Sequence, residues 1–151
     1  MDINTQIITE TAQETARVGE ELAASLIHRK GSGGGATVLC LYGDLGSGKT
    51  TFAQGFAKGL GFTGRLLSPT FIIVRRYNIP STDNFLYHID LYRTKTVLDI
   101  ENLGFSEMAC DDHAYVLIEW AEKLESLKPG KRIDIHFNLN KNDSHTIIIG
   151  R

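Results

Sequence analysis

Residues 43–50 read GDLGSGKT, the spacing G-x-x-x-x-G-K-[ST], with Gly43, Gly48, Lys49 and Thr50 at the fixed positions. Each residue type there has a chemical use. Small residues let backbone N–H groups curl around phosphate oxygens at the positive end of a helix. A lysine at the seventh position reaches the β- and γ-phosphates of a nucleoside triphosphate, and the following hydroxyl takes one place on a magnesium ion. The expected nucleotide site is therefore Gly43, Asp44, Leu45, Gly46, Ser47, Gly48, Lys49 and Thr50, with Thr51 just beyond. Its cofactors would be ATP and Mg²⁺.

Such a loop needs a strand before it and a helix after it. Residues 36–42 (ATVLCLY) are short, apolar and rich in strand formers, and residues 50–60 carry Phe52, Ala53, Phe56, Ala57 and Leu60 at helical spacing, with Gly61 as the stop. Further acidic and hydroxyl groups sit where other strands end. His88 and Asp90 are two apart in the apolar run 85–90, so they share a strand face, with Arg93 just beyond. That pair has three readings: a zinc site, for which no further Cys or His has matching spacing; a structural polar pair; or Asp90 facing the phosphates from a strand's carboxyl end. Glu119 closes the apolar run 114–118. It is either a surface charge or the second magnesium group, and Trp120 beside it is either core or a cover over the site. In Ser68-Pro69-Thr70 the proline stiffens a segment whose hydroxyls either sense a γ-phosphate or only open the next strand.

The remaining elements follow from pattern. Residues 3–8 suit a short edge strand. Thr11-Ala12-Gln13-Glu14 is a capping-box pattern opening a helix whose stripe Ala12, Ala16, Leu22, Ala23, Leu26 and Ile27 should pack on a sheet. KGSGGG at 30–35 is a connector. Residues 71–77 and 85–90 make a hairpin across the turn 78–84, and 97–103 and 106–109 are short helical pieces around Gly104. Residues 121–127 form a short helix, and 132–139 with 145–149 form a final hairpin. This gives about seven strands and four helices in an α/β chain.

At 151 residues the chain should be a single domain, 1–151, burying about two-thirds of its unfolded surface. A net charge of −2 argues against bulk affinity for nucleic acid. Arg75, Arg76, Lys58 and Arg65 would have to cluster to form a basic patch. Cys40 and Cys110 form no C-x-x-C pair, which suits a reducing cytoplasm, and no stretch is long and apolar enough to span a membrane. Residues 140–143 (NKND) match a guanine-reading motif literally. Only one strand follows them, however, and Asn-rich turns are what a hairpin needs.

Taken together, GDLGSGKTT (43–51), SPTF (68–71), HIDLYR (88–93), LGF (103–105) and IEW (118–120) resemble the TsaE (YjeE) family in order and spacing over nearly the whole chain. The resemblance implies a P-loop NTPase fold with a mixed, mainly central sheet flanked by helices. It implies a bacterial ATPase that works with TsaB and TsaD to place threonylcarbamoyl on the adenosine beside the anticodon of tRNAs reading ANN codons. On the matching positions, Lys49 and Thr50 would bind phosphates and magnesium, Glu119 would make a further magnesium contact, and Asp90 would support hydrolysis. Ser68 to Thr70 would form a switch; Trp120, by its place beside Glu119, would cover the site or contact a partner if it is not core. With no obvious arginine finger beyond Arg93, intrinsic turnover should be weak and partner-stimulated; a small-molecule kinase and a non-hydrolysing ATP-gated module remain as alternatives. The chain departs from the family pattern at Ser47, often alanine, in the 30–35 loop, and in a terminal hairpin without an arginine for the nucleotide.

Overall fold

The structure, a computed structural model, describes residues 4–28, 34–67 and 72–151. Its seven strands are β1 (Thr5–Thr9), β2 (Thr37–Tyr42), β3 (Val74–Asn78), β4 (Phe85–Asp90), β5 (Ala114–Glu119), β6 (Ile133–Leu139) and β7 (His145–Gly150). They form one sheet in the order β1-β7-β6-β2-β5-β4-β3. The four central strands, β6, β2, β5 and β4, run parallel; β3 and β7 pair antiparallel at either side, and β1 pairs antiparallel with β7. This is the mixed α/β sheet of the P-loop NTPases. All six residues of β5 (AYVLIE) are buried, as expected of a central strand covered on both faces.

Helices α1 (Ala12–Ile27) and α2 (Lys49–Gly59) cover one face; α3 (Val97–Glu101), α4 (Phe105–Cys110) and the 3₁₀ segment Ala121–Leu127 cover the other. The strand pattern divides the core accordingly. Leu39, Leu41, Tyr115, Leu117 and Leu86 pack with α1 and α2, while Val38, Cys40, Val116, Ile118 and Ile89 pack on the opposite side. Burial pushes the Cys40 thiol up to about 11, as expected of a core thiol.

The capping pattern at Thr11 holds: its hydroxyl accepts from the Glu14 N–H at 3.1 Å. The Glu14 carboxylate, however, reaches back to Glu10 N–H rather than to Thr11. The buried stripe of α1 is Thr15, Val18, Gly19, Leu22, Ala23 and Leu26; Ala12 and Ile27 are exposed, correcting the expected register. The reason lies in α2, against which α1 packs as well as against the sheet. A Cβ on Gly55 would sit 1.9 Å from the Ala16 carbonyl oxygen, and one on Gly19 2.4 Å from that of Phe52. Glycines thus bring the two helix backbones into contact and rotate α1 towards α2. β1 starts two residues later than expected, and β3 begins at Val74. Phe71 and most of the 30–35 connector lie outside the described residues.

Arg75 and Arg76 are adjacent on β3 and so take opposite faces. Arg76 lies 4.1 Å from the Phe85 ring, while Lys58, paired with Glu20, lines one groove with Arg65, so Arg75 and Arg76, on opposite faces of β3, do not join one patch with both of these. Among the described residues no helix is long and apolar enough to cross a membrane.

Candidate functional site

β2 ends at Tyr42 and the chain turns through the glycine-rich loop into α2. The Ser47 N–H donates to the Asp44 carbonyl at 3.1 Å. Gly48, at φ 104°, then redirects the backbone with a left-handed step that a β-carbon would strain. The Phe52 N–H bonds back to Gly48 at 3.0 Å, so the N–H groups before it in the first turn lack helical acceptors and add to the positive helix end. Leu45 to Thr51 line a cleft of about 490 Å³. Gly43 and Asp44 do not; they act from behind, their carbonyls accepting from Lys49 Nζ at 2.5 and 2.8 Å, and Ser47 Oγ accepts at 3.3 Å.

Lys49 is 4% exposed, and its ammonium lies 4.4 Å from the centroid of Trp120. Burial pulls it below the usual lysine range, opposed by the negative charges of Glu119, Glu122, Asp90 and Asp44. Trp120 sits directly after β5 in a left-handed conformation, φ 59°, and its ring meets Tyr92 at 5.0 Å. It is neither wholly core nor wholly surface: half-buried, it walls the cleft beside the lysine.

The carboxylates come from neighbouring strands. The β4–β5 register sets Asp90 opposite Glu119, so both share the face that carries α2. Glu119 is buried; the Thr50 hydroxyl donates to its Oε2 at 3.0 Å, and the His88 ring donates from Nε2 to its Oε1 at 2.8 Å. Asp90 is also buried, and its Oδ1 accepts the Tyr92 N–H at 2.9 Å. Burial pushes the Asp90 carboxyl above the usual range, with the Tyr92 N–H pulling it back. A hydroxyl and two carboxylates are the hard oxygen donors that magnesium takes from a protein, phosphates and water completing its octahedron. Thr50 and Glu119, already within hydrogen-bond reach, fit that ion. For the zinc reading, no three His, Cys, Asp or Glu side chains among the described residues are arranged to hold a metal ion.

The structure thus brings together Lys49, Thr50, Asp90, Glu119 and Trp120. Ser68 and Thr70 lie outside the described residues. Arg93 is exposed and does not line the cleft. The 140–143 turn is a hairpin turn, as expected, its Asn140 amide bonded to Ser144 and Thr146.

Sequence reasoning missed the far wall. His145, first residue of β7, donates from Nδ1 to the Ser47 carbonyl at 2.8 Å, and Glu10, Thr11, Ala12 and Thr15 continue the cleft away from the loop. Of the three readings of His88 and Asp90, the structural pair does not form, since the His88 ring bonds Glu119 on the next strand. Alternation on β7 puts His145 on the face of Ile147 and Ile149; no pattern in the chain sets that face beside the loop.

The sequence model of the family described as "Threonylcarbamoyl adenosine biosynthesis protein TsaE" matches residues 9–147. The tRNA threonylcarbamoyladenosine biosynthesis protein TsaE of Bacillus subtilis is 45% identical over 101 residues, 65% of this chain and 59% of that protein, so the match spans well under two-thirds of the relative's length. The TsaE protein of Rickettsia bellii is 32% identical over 93% of this chain and 91% of its own length. The crystal structure of Bacillus subtilis YdiB superposes with a TM-score of 0.73 at 31% identity, covering 99% of this chain and 88% of that one. With the loop, the strand-end carboxylates and the sheet order already in place, matches of this extent mean that the chain belongs to the TsaE family.

Proposed function

We propose that this chain is a single-domain, cytoplasmic, magnesium-dependent ATPase of tRNA threonylcarbamoyladenosine biosynthesis, acting with TsaB and TsaD on tRNAs that read ANN codons. The observation that carries the reading is the Thr50–Glu119 pair at 3.0 Å, set at the N-terminus of α2 beside a buried Lys49. Lys49 would exchange its contacts to the loop carbonyls for phosphate oxygens. The loop N–H groups would cradle the β-phosphate, Thr50 and Glu119 would hold the metal, and Asp90 would orient the attacking water. Bound magnesium would neutralise charge that develops on the transferred phosphoryl group.

Among the described residues lining the cleft, Lys49 is the only lysine or arginine. That leaves the transition state under-neutralised, which supports weak turnover by the isolated chain. Leu45, 79% exposed, and Tyr92, 48% exposed, offer an apolar rim on which a partner could close and complete the site. With a net charge of −2, contact with tRNA would come through the complex. Phosphate release from ATP, measured with and without magnesium and with and without the TsaB–TsaD pair, tests this. Slow release that the pair accelerates is expected. Release of many phosphates per second from the chain alone would overturn partner activation, and no release under any condition would leave an ATP-gated binding module.

A further inference from the structure

His88 is fully buried on β4, two residues from Leu86 on the same face, and its register neighbour on β5 is Leu117. A carboxylate only accepts, so the bond to Glu119 fixes the hydrogen on Nε2. The other ring nitrogen, Nδ1, is buried with no hydrogen-bond partner among the described residues. The same holds for Nε of Arg75, the residue directly across from His88 on β3. A buried imidazole with one nitrogen left unbonded carries a desolvation cost that a leucine at the same position would not. The ring therefore contributes little to the fold by itself. What it does is grip one carboxylate oxygen.

That grip matters because the last torsion of a glutamate is soft and two-fold. Glu119 is held from two sides: His88 donates to Oε1 at 2.8 Å, and the Thr50 hydroxyl faces both oxygens, nearer to Oε2 at 3.0 Å than to Oε1 at 3.3 Å. Release of Oε1 would let the carboxylate turn away from Thr50, the other residue that would hold the metal. The geometry points to His88 as a positioning residue that pins Oε1 of Glu119 so that Oε2 stays aligned with Thr50 for the cation. The inference rests on the proposed metal-binding role of Glu119 and adds a residue that touches neither nucleotide nor metal.

The test is a Mn²⁺ titration by electron paramagnetic resonance, with a non-hydrolysable ATP analogue present, on the wild-type chain and on H88L, H88Q, H88N, E119A and the H88L/E119A double variant. H88L should raise the Mn²⁺ midpoint about 10-fold or more, the usual effect of losing a group that orients a metal ligand. Its kcat should fall in step while KM for ATP moves less than about 3-fold. H88Q, whose amide can donate to Oε1, should restore the midpoint to within about 3-fold of wild type, whereas the shorter H88N should not. In the E119A background H88L should add no further shift, since it acts only through that carboxylate. A folded H88L with an unchanged midpoint overturns the inference, and so does an equal shift with and without Glu119. Should H88L fail to fold by circular dichroism, H88Q and H88N decide: equal midpoints overturn it, and a gap of about 10-fold upholds it. If E119A itself leaves the midpoint unmoved, the metal role of Glu119 falls and this inference falls with it; if only H88L is silent, the metal role stands.

Discussion

Lys49 is a charge that folding makes expensive. The residue is 4% exposed, and its ammonium sits over Trp120 and answers to loop carbonyls rather than to a carboxylate bonded to it. Lys49→Ala should abolish nucleotide binding and turnover while leaving the circular dichroism spectrum intact, because Lys49 belongs to neither apolar cluster of the core and its removal relieves a buried charge. Wild-type affinity in a nucleotide titration would contradict the phosphate assignment. Glu119 stands differently, bonded to both Thr50 and His88. Glu119→Ala should cut magnesium-dependent phosphate release by 10² or more, the scale of losing one preorganised group at a developing charge. ATP affinity without metal should stay within about threefold, since the loop, not the carboxylate, holds the phosphates.

The contact between α1 and α2 depends on residues that the usual helix rules disfavour. Gly55 lies mid-helix, where alanine would normally stabilise by about 1 kcal/mol. Here its β-carbon would lie 1.9 Å from the Ala16 carbonyl oxygen, backbone that cannot swing aside. Gly55→Ala should therefore destabilise by about 1–3 kcal/mol, read as a lower urea midpoint with unchanged slope, so the sign alone separates close packing from propensity. On the opposite face of the sheet, Asp134 of β6 accepts from Arg132 Nε and from the Tyr42 hydroxyl, both at 2.8 Å. Burial raises its carboxyl, but these hydrogen bonds and the guanidinium charge outweigh it and hold it below the usual range. A depressed native value means the stabilisation is present above the ordinary aspartate range, near pH 4, and is lost as pH falls through the native value. Asp134→Asn should cost about 1 kcal/mol at pH 7 and show a smaller loss of stability than wild type between pH 7 and pH 3 in urea melts.

In the assembled molecule the cleft draws on β1's exit at Glu10, the first turn of α1, the loop, β4, β5 and the first residue of β7. A ligand that binds there bridges elements distant in the chain and stabilises them by mass action. Saturating Mg²⁺–ATP at 100 times its dissociation constant should add about 2.7 kcal/mol, visible as a rise in Tm that Lys49→Ala loses. The exposed Leu45 and Tyr92 at the mouth make the same cleft a place where a second protein could shut out water.

The amino-acid chain by itself determined whatever depends on neighbours in sequence. The loop is eight consecutive residues whose function is set by their own backbone, so it could be read outright, as could the Thr11 cap, the hairpin turns and the alternation that sorts each strand into two faces. Alternation names a face, never a neighbour. That Glu119 meets His88 rather than leaving it to Asp90, that His145 braces Ser47 from 98 residues away, and that α1 meets the glycines of α2 at Ala16 and Gly19 were decided only when the fold, with strand order β7-β6-β2-β5-β4, was in place. Cross-strand contact is a property of that order, and a period-two pattern looks the same whichever strand lies alongside.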